Sequence, residues 1–161
     1  MIASINDIKD IRPIADNIPL SRITVYIEEA ESLYVLPAFG ASLFKNISDN
    51  KENYTTLLDG GYYDNDNHYF EGLRKSVAYI AYSKMILNQD FNVTAFGTMF
   101  KNSEYSEHSN EKTLLRISND ALAIGIRYLD DCLEYLKYIK LLPCCLNKSD
   151  RNGRIKIIGG L

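Results

Sequence analysis

Asp64-Asn65-Asp66-Asn67-His68 is the densest run of oxygen and imidazole donors in the chain, and it begins as a calcium-binding loop would. Such a loop needs glycine at its sixth position for a sharp turn and a bidentate glutamate at its twelfth. Tyr69 and Lys75 stand there instead, so the run reads as a solvated, turn-rich loop. His68 and His108 are the two histidines, and neither has a cysteine or carboxylate at a metal-binding spacing. Adjacent Cys144 and Cys145 point away from one another, which disfavours joint zinc ligation; they read as a small apolar cap on the last helix, and Cys132 as part of its core line. Glu28, Glu29 and Glu31 crowd together but read as the hydrated face of a helix, with no identifiable partner for acid–base work. The sequence holds no Gly-rich phosphate loop, nucleophile elbow or zinc-binding histidine pair. Nothing in it supports an enzyme, and no cofactor or metal is expected.

With chemistry unsupported, surface and assembly carry the reading. A chain of 161 residues fits one domain and buries enough apolar surface to need no disulfide or metal staple. Its 46% apolar and 24% charged residues argue against wholesale disorder. Twelve Tyr and no Trp are less ordinary, because tyrosine buries its ring while its hydroxyl stays wet, which suits surfaces half-covered by a partner. Compositional drift in an AT-rich genome accounts for the same excess. The formal charge of −3 hides an asymmetry: residues 1–71 hold twelve acids against five bases, a net of −7, and residues 72–161 hold nine against thirteen, a net of +4. A dipolar chain of this kind can stack acidic face to basic face on copies of itself, and it is not basic enough for a dedicated nucleic-acid binder. Three cysteines without framework spacing point to a reducing compartment. The first ten residues lack the pattern of a signal peptide, and no apolar run reaches the ~20 residues of a membrane span, so an intracellular, soluble protein is expected.

The pattern predicts a mainly α protein: a single helical-bundle domain over 1–161, with an N-terminal arm (1–20), a short β-hairpin arm (91–100) and a C-terminal tail (143–161), the terminal arms extended. The arm carries Ile2, Ile5, Ile8, Ile11, Ile14 and Ile18, and Pro13 forbids a long helix there; it either packs on its own core or reaches a neighbour. A helix begins after Ser21 as N-cap, with Leu20 and Val25 as a hydrophobic staple, buries Ile23, Ile27, Ala30 and Tyr34, turns Glu28 and Glu31 outward, and stops at Pro37 and Gly40. Short helices follow near 41–47 and 52–58. Residues 69–88 form a central helix with two apolar stripes, and 109–142 a long last helix that bends at Ser118–Asp120 or Gly125. Alternation around Phe96-Gly97 predicts two short strands that must lean on something, since isolated hairpins are marginal in water. Phe91, Val93, Phe96, Met99 and Phe100 are therefore weighed as an interface against ordinary core packing. In the basic tail, Arg151, Arg154, Lys156 and Ile157 are weighed as contacts to an acidic neighbour or to phosphate against a solvated tail, and 154–158 as an edge strand.

The segments Tyr26–Gly40 and Asn92–Glu107, with the run Tyr128-Leu-Asp-Asp-Cys-Leu-Glu-Tyr-Leu136, resemble the head-tail connector (ring or adaptor) proteins of crAss-like tailed phages and prophages of Bacteroides-type hosts. The resemblance covers most of the chain in order, through short patterns and not catalytic signatures. It implies a structural virion protein, made in the host cytoplasm, that forms a homo-oligomeric, dodecameric ring under the portal and around the DNA channel. Portal, neighbouring tail or ring proteins and nearby genomic DNA would be its partners, with no membrane. It also implies that 91–100 and both termini lie between subunits; the long basic tail after Pro143 departs from the pattern. The reading from another class is a small helical regulatory or nucleic-acid-binding module, and a weaker third is a hydrolase with a carboxylate site.

Overall fold

The computed structural model describes residues 1–14, 18–88, 91–94, 97–100 and 111–142, with the backbone alone described for 91–94, 97–100 and Glu111. The chain is mainly helical, as its periodicity predicts. In order it forms α1 (Ile5–Ile11), α2 (Leu20–Ala30), a π turn (Glu31–Val35), α3 (Leu36–Phe39), α4 (Ala41–Asp49), a 3₁₀ turn (Lys51–Tyr54), α5 (Thr55–Asp59), β1 (Gly61–Tyr63), β2 (His68–Phe70), α6 (Leu73–Asn88), β3 (Phe91–Thr94), β4 (Gly97–Phe100) and α7 (Glu111–Tyr138).

The frame is the antiparallel pair α6 and α7. Small residues let their backbones approach: the Ser76 hydroxyl donates to the Gly125 carbonyl at 2.8 Å and the Ser118 hydroxyl to the Ser83 carbonyl at 3.0 Å. These serines are buried with their hydroxyls satisfied, so the seam carries no polar penalty. α6 is covered on several sides, burying Leu73, Val77, Ala78, Ile80, Ala81, Met85 and Ile86, which matches its two predicted stripes. α7 is one continuous helix of 28 residues; Ser118 and Gly125, expected as bend points, are its contacts with α6 instead. It stops before Pro143, with Lys140 in the left-handed region and the Leu141 N–H closing on the Leu136 carbonyl at 2.9 Å, a Schellman-like end.

α2 packs on α6 through Ile23, Tyr26, Ile27 and Ala30, fastened at its rim by Lys84–Glu29 (3.2 Å) and by the Arg22 guanidinium on the Asn88 carbonyl (2.7 Å). Its start differs from expectation. Pro19 occupies the N-cap without a side-chain bond, and Leu20 and Val25 are 63% and 49% exposed, so neither the Ser21 cap nor the staple forms. The N-terminal stretch is only partly extended: Ser4 and Asp7 make a capping box that starts α1, and Ile2, Ala3 and Ile8 join the chain's own core.

Residues 62–68, read as a loop, are a second hairpin. Gly61 pairs with Phe70, Tyr62 with Tyr69 and Tyr63 with His68, around a turn in which Asp64, Asn65 and Asp66 all take positive φ. Asp and Asn tolerate that region better than other side chains. The base of the hairpin is pinched between Gly60 and Gly72, both at positive φ, where any side chain would overlap the opposite backbone. This hairpin also explains why α6 starts at Leu73 and not at Tyr69.

Candidate assembly surface

Of the residues singled out from sequence in the hairpin arm, Phe91, Val93, Met99 and Phe100 fall on β3 and β4, whose register sets Phe91 opposite Phe100, Asn92 opposite Met99 and Val93 opposite Thr98. The two strands form a sheet of their own. Phe96, Arg151, Arg154, Lys156 and Ile157 lie outside the described residues. α6 and α7 run antiparallel with Ser83 against Ser118, so the end of one helix lies beside the start of the other. Yet 22 residues (89–110) join them, where a few would do.

Tyrosine makes the other feature. Among the described tyrosines only Tyr26 is buried. Strand alternation puts Tyr62 and Tyr69 on the outer face of the β1–β2 hairpin, 64% and 52% exposed, with ring centres 4.9 Å apart. Tyr63, His68 and Phe70 take the inner face toward α7. Phe70 stacks on Tyr135 at 4.7 Å, and Tyr63 meets Tyr135 at 5.4 Å, Tyr138 at 5.3 Å and His68 at 5.3 Å. Burial raises the Tyr63 hydroxyl pKa, and the carboxylates of Glu134, Asp131 and Asp64 push it the same way. Burial also lifts Asp131 above the usual aspartate value. A second aromatic pair, Tyr79 against Tyr128 at 5.7 Å, lies between α6 and α7, with the Arg12 guanidinium 5.9 Å above the Tyr79 ring. The hairpin thus sets buried Phe70 and half-exposed Tyr63 against Tyr135 and Tyr138 of α7, with Tyr62 and Tyr69 exposed on its other side.

One functional-looking group was read wrongly from sequence. Glu31, assigned to the hydrated face, is 6% exposed. Its carboxylate accepts the Ile2 N–H and, at 3.3 Å, the Ala3 N–H, tying the N-terminal stretch to the π turn. The Lys51 ammonium adds a bond to the Met1 carbonyl at 2.5 Å. The signal was present: Ile23, Ile27 and Glu31 are spaced by four and share one helix face.

Cys132 is buried and its thiol pKa is pushed up by burial, away from a nucleophile. No group of three or more His, Cys, Asp or Glu among the described residues is placed to hold a metal ion. An open cleft of about 440 Å³ lies against Met1–Ser4, Asp7, Lys51 and Arg74, but Asp7 caps α1, Lys51 holds Met1 and Arg74 pairs with Asp59. No helix among the described residues is long and apolar enough to cross a membrane.

No curated protein and no solved structure matches the chain. A family model described as a family of unknown function, DUF6712, matches residues 35–140, which is 106 of the 161 residues and runs from the close of the π turn to the end of α7. The matched span holds both hairpins and the α6–α7 pair, and leaves out α1 and α2. On that match the chain belongs to the DUF6712 family.

Proposed function

We propose that this chain is a structural virion protein that assembles into a homo-oligomeric ring at the head-tail junction, beneath the portal and around the DNA channel. The observation that carries the reading is the 22-residue excursion between α6 and α7. Antiparallel helices whose ends meet need only a short link, and a long connection with its own strands is characteristic of an element with a separate task. A two-stranded sheet is marginal alone, so β3–β4 needs a surface to lean on, and a neighbouring subunit is the surface this reading supplies. The tyrosine face and the acidic and basic halves of the chain give the two unlike faces that a heterologous, ring-closing contact requires. The location in this reading follows the resemblance of 26–40, 92–107 and 128–136 to phage connector proteins.

The test is the mass of the purified full chain, alone and beside the portal protein of the same particle, followed by electron micrographs of what forms. Closed rings, or a ring seated on the portal, are the expected outcome. A chain that stays monomeric under both conditions overturns the reading.

A further inference from the structure

The β1–β2 hairpin has no third strand among the described residues, so each strand offers an edge of backbone N–H and C=O groups. The edges are short, three residues each, and neither Gly61-Tyr62-Tyr63 nor His68-Tyr69-Phe70 contains a proline or a lysine that would bar a further strand. A strand added there meets two different faces. On the inner face it finds the Tyr63, Tyr135 and Tyr138 rings, which favour apolar side chains. On the outer face it finds exposed Tyr62 and Tyr69, which favour cations over their rings. The carboxylates of Glu134, Asp131 and Asp64 act on Tyr63, so the local field is negative there.

Arg154-Ile155-Lys156-Ile157 has the matching pattern, because alternation sets Ile155 and Ile157 on one face and Arg154 and Lys156 on the other. The segment from 143 onward carries four bases against one acid. Residues 143–153 give it a reach of up to about 36 Å from the end of the described chain. We propose that the 154–158 segment of a second copy adds to the β1–β2 hairpin as a third strand, with Ile155 and Ile157 over Tyr63 and Tyr138, and Arg154 and Lys156 beside Tyr62 and Tyr69. The inference rests on the assembly reading above. The hairpin lies in the acidic stretch 1–71 and the tail in the basic stretch, which favours their contact, and the assembly reading, which needs unlike regions to meet between subunits, makes a second copy the donor.

The experiment replaces Tyr69, and separately Tyr62, with the photo-reactive p-benzoylphenylalanine in the full chain. Assemblies are formed from equal amounts of ordinary and nitrogen-15-labelled copies, irradiated and digested. Cross-links to the 154–158 peptide are expected, with mixed-isotope pairs as frequent as same-isotope pairs. Ile157→Asp, which sets a carboxylate against the inner rings, should lower their yield about tenfold or more. Same-isotope pairs alone, or cross-links that avoid 154–158 from both probe positions, overturn the proposal. The mass of the unirradiated sample reports the assembly reading separately: a ring without tail cross-links sinks this inference alone, and a monomer sinks the reading beneath it.

Discussion

Gly125 and Ile80 fix how closely the two main helices approach: a Cβ placed on Gly125 would stand 2.6 Å from Ile80 Cγ1 and 3.1 Å from both the Ile80 nitrogen and the Ser76 carbonyl oxygen. Alanine at a helix interior normally gains about 1 kcal/mol over glycine. Here the clash faces a β-branched side chain with a stiff χ1 and two backbone atoms, so the helices must separate. Gly125→Ala should be destabilising despite its propensity, and Gly125→Val should cost about 1–3 kcal/mol. Urea melts read the sign directly; a more stable alanine variant would mean that the seam gives way easily.

Glu31 holds the N-terminal stretch by its backbone. Glu31→Ala leaves the buried Ile2 and Ala3 N–H groups without their acceptor, a loss of about 1–3 kcal/mol. Glu31→Gln keeps a carbonyl oxygen in place and should lose less. Amide exchange at Ile2, Ala3 and Ile8 is the informative measurement, since it should accelerate there while α7 stays protected. Unchanged exchange in the alanine variant would show that Ile2 and Ile8 hold the stretch by burial alone.

Periodicity made the large elements legible. The stripes of α6 announced a helix covered on several sides, and the alternation about Phe96-Gly97 announced β3–β4. What stayed hidden lacks a hydrophobic signature or a long enough period. The α6–α7 seam includes Ser76, Ser83, Ser118 and Gly125, whereas the larger apolar Ile117 and Ile126 on α7 are 37% and 39% exposed. β1 and β2 are three residues each, too short for alternation to stand out, and Asp64–Asn67 drew attention as ligands when their backbone role was to turn the chain. Glu31 was placed by its charge against its spacing, and the spacing was right. Of the candidate assembly surface, the sequence offered the tyrosine excess but not its concentration on one hairpin and the adjoining helices.

Asp131 gives a pH signature. Burial is the largest influence raising its folded-state pKa above the ordinary 3.8, with Asp130 and Glu134 adding to it and Arg127 opposing. The folded state therefore binds this proton more tightly than the unfolded chain. Stability from this group falls as pH rises from the ordinary value through the raised one, and the penalty is fully present above it. Asp131→Asn removes the penalty, so its melting temperature should exceed that of the parent at pH 7, with the difference shrinking as pH falls through the raised pKa and gone below about 3.8. A gain that is constant from pH 3 to pH 7 would show that the carboxylate is not the cause.

If the excursion between α6 and α7 serves the proposed assembly, its removal should spare folding. Ser83 faces Ser118, and from that crossing Asn88 lies five residues onward and Glu111 seven residues back. At 1.5 Å per residue the two ends are about 7.5 and 10.5 Å along their axes, nearly level, and packed helix axes stand about 8–10 Å apart. A four-residue glycine–serine link spans that gap, so replacing residues 89–110 with it should leave the helical circular dichroism signal intact and the melting temperature within a few degrees. The seam serines, Gly125 and the buried face of α6 are all retained in such a variant. Ring formation, read by mass and by micrograph, should disappear. An unfolded product would assign β3–β4 to the core of its own subunit, and rings of normal size would remove the hairpin from the interface.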